Sequence, residues 1–173
     1  MSYYEGLSFF TCLIVVLLIA MVIGILEKPL KWYSLLVSLL FVAFVFAGNP
    51  SGILYLLLFY GWSCLLILGY FRIRAKNGRK AGIYHAAVLL SLVPLILCKV
   101  TPLFQLNIFG FVGISYLTFR VVQMIVEIYD GVIKEVSFVE ITAFLAFFPS
   151  FSSGPIDRSR RFLADWNRVL PRA

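Results

Sequence analysis

Long uncharged apolar stretches alternate with short polar breaks along this chain, and their lengths predict helices. Gly6–Leu26 carries no charge over 21 residues, and Trp32–Phe71 carries none over 40. Gly48-Asn49-Pro50-Ser51-Gly52 interrupts the second stretch with turn-forming residues. Ala81–Cys98 is a further apolar run, and Asn107–Gly131 starts apolar and becomes polar. A helical span needs roughly 20 mostly apolar residues. Spans are therefore expected near residues 7–26, 32–47, 53–71, 82–98 and 107–131. Runs this continuous do not fit barrel strands, which alternate apolar and polar positions. Phe138–Phe148 is too short to cross, since such a helix rises only about 16 Å. Pro149, Gly154 and Pro155 interrupt the chain beyond it. The expected fold is an all-α polytopic membrane protein. It has about five transmembrane helices, a re-entrant or interfacial helix over 138–149, and a cytoplasmic-side turn and tail over 150–173.

Composition agrees with this reading. Of the 173 residues, 62% are hydrophobic and 13% charged, with a mean hydropathy of +0.99. Soluble domains are roughly 45–50% apolar and about 25% charged. A chain this short cannot bury so much apolar side chain in one aqueous core. The three cysteines do not make a disulfide scaffold. The first run is not a cleavable signal: Glu5 stands in front of it in place of a basic segment.

The net charge of +7 is unevenly placed. Lys28, Lys31, Arg72, Arg74, Lys76, Arg79 and Lys80 fall on one side of a serpentine of spans, and Lys99 on the other. The positive-inside rule makes the first side cytoplasmic and puts the N-terminus outside. The Arg72–Lys80 run is read first as a topology signal, with a lipid-phosphate or partner site as the alternative.

The fifth predicted helix carries the most chemistry. Tyr116, Arg120, Gln123, Glu127 and Asp130 are spaced by four, three, four and three, which aligns them on one stripe. Such a stripe must face protein or a water-filled cavity, because charge facing lipid is costly. It serves either as a buried network locking helices together or as part of a substrate path. Glu127 and Asp130 require a cation nearby, and Arg120 lies too far along the helix to serve both. Val121, on the opposite side, is expected to tolerate Leu better than Arg120 or Asp130 would. Ser153, Gly154, Pro155, Asp157 and Arg158 form a second cluster, with Arg160 and Arg161 behind it. It reads as a juxtamembrane turn or as an anion contact. His85, the only histidine, reads as structural, and the histidine and thiols assemble no metal-ligand set.

Gly113-Ile114-Ser115-Tyr116-Leu117-Thr118-Phe119-Arg120, then Asp130-Gly131, Phe147-Phe148-Pro149, Ser153-Gly154-Pro155-Ile156-Asp157-Arg158 and Arg161-Phe162 resemble the membrane-bound O-acyltransferase family. The likeness is closest to its branch in Gram-positive teichoic acid D-alanylation. The resemblance covers the first part of the family's architecture. It implies that the family's histidine lies in a remaining C-terminal half and that this chain holds no catalytic residue, so the chain alone is inactive. The implied chemistry passes D-alanine from a phosphopantetheine thioester on a small acidic carrier protein to teichoic acid hydroxyls. It implies no bound cofactor and no nucleic-acid partner, in a multi-pass protein of the cell membrane. Apart from the resemblance, a membrane scaffold that recruits a carrier protein or anionic lipid remains the alternative.

Overall fold

A computed structural model describes residues 7–26, 28–46, 48–101, 111, 113–151 and 158–167. Among them the regular structure is helical: α1 (Leu7–Ile25), α2 (Lys31–Phe46), α3 (Pro50–Asn77), α4 (Ala81–Val100), α5 (Ile114–Tyr129), α6 (Phe138–Leu145) and α7 (Ser159–Asn167). A short 3-10 turn occupies Phe148–Ser150. Two helices, α3 and α4, are long and apolar enough to cross a membrane, and α1 and α2 are shorter apolar helices.

Local sequence accounts for the starts of two helices, α3 and α6. Asn49 caps α3 by accepting the Gly52 N–H at 2.9 Å, and Pro50 sits in its first turn. A side chain at Gly52 would strike Asn49 and the Phe46 ring within about 3 Å, so this corner needs glycine. Ser137 and Glu140 form a reciprocal capping box at the start of α6.

The expected boundaries shift at two places. The third span, expected to end near residue 71, continues as helix to Asn77. Arg72, Arg74 and Lys76 therefore project from a helix, not a loop. The fifth begins at Ile114, after Gly113 in the left-handed region (φ 91°); residues 107–110 and 112 lie outside the described residues. The expected tail also contains α7. Its one face buries Ser159 and Phe162, while Arg160, Arg161 and Asp165 stay exposed. This strong amphipathicity was hidden by the high charge of its nine residues.

α5 is the centre. It packs on α3, α4, α6 and α7. Leu117, Val121, Met124, Ile125 and Ile128 are all within 2% of complete burial. Val121, 1% exposed, is packed on the apolar side of the helix, so enlarging it to Leu also costs stability. The least buried row runs through Ser115, Phe119, Val122, Val126 and Tyr129. α1 joins α2 through the Tyr33 hydroxyl, which donates to the Val16 carbonyl at 2.7 Å.

Pro94 shows how a broken helix bond is repaired. Proline has no N–H, so the carbonyl four residues earlier, Leu90, loses its helical donor. The Trp62 indole N–H from α3 donates to that Leu90 oxygen at 3.1 Å. In an apolar medium such a carbonyl must find a partner within the protein. Trp62→Phe should therefore destabilise the chain by about 1–2 kcal/mol, and far less when Pro94 is also replaced by Ala. Unfolding of the single and double variants in detergent measures this coupling; equal costs in both backgrounds would refute the repair.

Candidate functional site

The stripe of α5 contains three charges in different settings. Arg120 is 2% exposed, yet lies about 15 Å from the Asp130 end of its helix. Its guanidinium stands 4.2 Å from the centre of the Phe144 ring and 5.6 Å from that of Tyr116. A weakly hydrated planar cation over an aromatic face is a favourable way to hold buried positive charge. Tyr116 and Gln123 are half-buried, and Asp130 is exposed at the end of the stripe. The structure thus places Arg120 and Glu127 in the interior and leaves Asp130 at the rim.

Glu127 is met by a helix terminus. Its carboxylate accepts the Ser159 hydroxyl and, at 3.0 Å, the backbone N–H of Arg160. Both donors belong to the first turn of α7, where orphan N–H groups and the helix dipole favour negative charge. This buried carboxylate (9% exposed) thus receives a hydroxyl and a backbone N–H among the described residues. The other end of α7 is tied to α2: the Trp166 indole N–H donates to Ser34 Oγ at 2.9 Å, and Lys31 Nζ lies 4.6 Å from the Trp166 ring centre.

Asp130 does gain a cation. Arg79 Nη2 lies 3.1 Å from its carboxylate, and the Arg79 guanidinium covers the Tyr129 ring at 4.4 Å. Tyr129 stacks in turn on Tyr84 of α4. The ion pair is about half exposed, so it contributes about 0–1 kcal/mol.

The backbone at Asp130-Gly131 is more constrained. The last four carbonyls of α5 all have donors. Val126 accepts from Asp130, Glu127 from Val132, Ile128 from Gly131, and Tyr129 from Arg74 at 3.2 Å. Gly131 has φ 75° and closes a Schellman cap. A Cβ there would also meet Arg74 Nη2 at 3.0 Å. The Asp-Gly pair therefore has a local reason: one residue takes Arg79, and the other lets Arg74 reach the helix end.

The segment after this cap enters the bundle. Tyr60 and Thr142 share a hydrogen bond between α3 and α6. The Phe148 N–H donates to the buried Ser38 hydroxyl, and Phe148 stacks on Phe41 at 4.0 Å. Phe151 meets Phe46 at the end of α2 opposite Lys31. Between α2, α3, α5 and α6 lies a half-open cavity of about 160 Å³, walled by Leu39, Val42, Leu57, Phe59, Leu117 and Leu145 among others. None of the five stripe residues lines it.

Of the second expected cluster, Ser153, Gly154, Pro155 and Asp157 lie outside the described residues. Arg158 is exposed and immediately precedes α7. Sequence reasoning missed Ser159 and the separate tasks of Arg74 and Arg79. The signal for Ser159 was faint: a cap-type residue opening an amphipathic stretch. His85 is exposed, with its ring 5.2 Å from Tyr84.

These features define an all-helical, strongly apolar bundle of membrane type, with charge buried on its central helix. No protein-family model matches the chain. It is similar, however, to curated proteins called teichoic acid D-alanyltransferase. Identity is 42% to that of Lacticaseibacillus rhamnosus, covering 96% of this chain and 42% of the relative. It is 37% to that of Bacillus subtilis, covering 95% and 44%, and 37% to that of Streptococcus thermophilus, covering 95% and 40%. The chain spans about two fifths of the length of these relatives.

Substitutions at two positions test the site's construction. Glu127→Ala strands the Ser159 and Arg160 donors and should release α7, so trypsin cleaves at Arg160 and Arg161 faster. Glu127→Gln, which keeps an acceptor, should lie between it and wild type. Unchanged cleavage in Glu127→Ala would exclude the tether. Gly131→Ala should cost about 1–3 kcal/mol, read as a lowered melting temperature.

Proposed function

We propose that this chain forms the N-terminal membrane portion of an O-acyltransferase that adds D-alanine to teichoic acid. The observation that carries the proposal is identity of 37–42% along about 95% of the chain to proteins of that name. In this reading the acyl group arrives as a phosphopantetheine thioester on an acidic cytoplasmic carrier protein, and teichoic acid hydroxyls accept it. The remaining C-terminal half supplies the family's histidine as base or acyl-transfer centre. The present chain supplies wall and scaffold, and no catalytic residue.

The proposed topology is multi-pass, with the N-terminus outside. What supports it is the gathering of cations at one end of the bundle. Lys31 meets α7, α7 meets Glu127, and Arg74 and Arg79 hold the end of α5. That end is assigned to the cytoplasm. A re-entrant course is supported by two described contacts after Gly131: Phe151 meets Phe46 near the opposite end of α2, and Ser159 is back at Glu127. Backbone of this kind is tolerated at membrane depth when covered by protein. The Arg120–Glu127 stripe beside it is read as the framework of a substrate path.

Split complementation tests the function. Cells whose own D-alanyltransferase is shortened to the part beyond the matched segment should regain D-alanyl esters on teichoic acid when this chain is co-expressed. A stably inserted chain that restores none would overturn the reading. For topology, Lys76→Cys should react with an impermeant maleimide only after cells are permeabilised, and Asn49→Cys before. The reverse pattern would invert the orientation.

A further inference from the structure

The basic run at the end of α3 divides by helical phase. Arg74 faces inward to the Tyr129 carbonyl, and Arg79, beyond the helix, pairs with Asp130. Arg72 and Lys76 are exposed and four residues apart, so they share a face. That face continues down the helix through Gly69, Leu65, Trp62, Leu58 and Leu54, in steps of three or four. All four large residues of this row are exposed, Leu65 by 73%. A side chain added at Gly69 would meet open space, so the row has a notch one turn below Arg72.

From Leu54 to Arg72 the helix rises about 27 Å, close to the thickness of a hydrocarbon core of about 30 Å. The row therefore offers hydrocarbon contact along its length and two adjacent cations at headgroup level. No acid interrupts the sequence from Arg72 to Lys80. Guanidinium and ammonium groups one turn apart suit the oxygens of one phosphate.

We propose that Arg72 and Lys76 bind the headgroup of an anionic phospholipid whose acyl chains lie along the outward row of α3. The site rests on the membrane-spanning reading of α3. It is distinct from the Arg74 and Arg79 contacts, which serve the fold. An acidic protein would also be drawn to the charges, but it gains nothing from the apolar row beneath them.

The test uses the full chain in neutral detergent, with dioleoylphosphatidylglycerol or dioleoylphosphatidylcholine added and bound lipid counted by native mass spectrometry. Wild type should prefer phosphatidylglycerol. Arg72→Gln with Lys76→Gln should weaken its binding by about 30-fold, from about five-fold per cation, and leave phosphatidylcholine unchanged. Arg72→Lys should keep most of the affinity. Arg160→Gln with Arg161→Gln, an equal loss of charge elsewhere, should change it less than about three-fold. Equal losses in the two double variants, or none in the first, would overturn the site. Displacement of phosphatidylglycerol by millimolar inorganic phosphate would reassign it to a small anion. Weakened capture of an acidic carrier protein with lipid binding intact would reassign it to protein docking. Failure of wild type to insert into phosphatidylcholine vesicles would defeat the spanning reading itself.

Discussion

A carboxylate inside an apolar bundle must be given donors, and the placing of Glu127 organises much of this structure. Leaving it unpaired would cost several kcal/mol. The chain meets that demand with the start of another helix: Ser159 and the Arg160 N–H point at Glu127. Because α7 is held there, its aromatic face can cover the bundle. Phe162 packs on Phe144 and Phe147, and Trp166 reaches Ser34. Phe144 in turn provides the face on which Arg120 rests. The two buried charges of α5 are thus linked through one aromatic cluster, not through a direct ion pair.

The cations at the end of α3 and just beyond it are divided among several tasks. A run of basic residues reads from sequence as a single electrostatic signal. In the fold its members separate, because side chains two residues apart on a helix point in nearly opposite directions. Arg74 completes the capping of α5, and Arg79 adds a solvent-exposed pair and an aromatic contact. Arg72 and Lys76 face outward. A topology signal and a structural clamp are therefore built from interleaved positions of one segment.

Away from water, each backbone polar group needs a partner within the protein. Leu90 loses its donor to Pro94 and regains one from Trp62. Phe148 N–H, beyond the end of α6, is taken by Ser38. These repairs come from residues 28 and 110 positions away. Neither Trp62 nor Ser38 stands out in sequence, since a lone Trp or Ser in an apolar helix has many possible uses. The polar stripe was legible because its spacing is periodic. Its partners were not, because they are distant in sequence.

Sequence alone determined the helical class, the approximate positions of the apolar helices, the common face of Tyr116, Arg120, Gln123, Glu127 and Asp130, and the cationic breaks. Hydrophobic runs and a 3.6-residue period are local properties, readable one segment at a time. The motif resemblance likewise needed only short-range order. Tertiary structure alone decided that α5 is buried on its apolar side as well, that Arg72–Lys76 continues α3, and that the tail contains a docked helix, α7. It also assigned Glu127 to Ser159 and Asp130 to Arg79. Those outcomes depend on which distant surfaces meet, and a buried charge selects its partner by three-dimensional proximity.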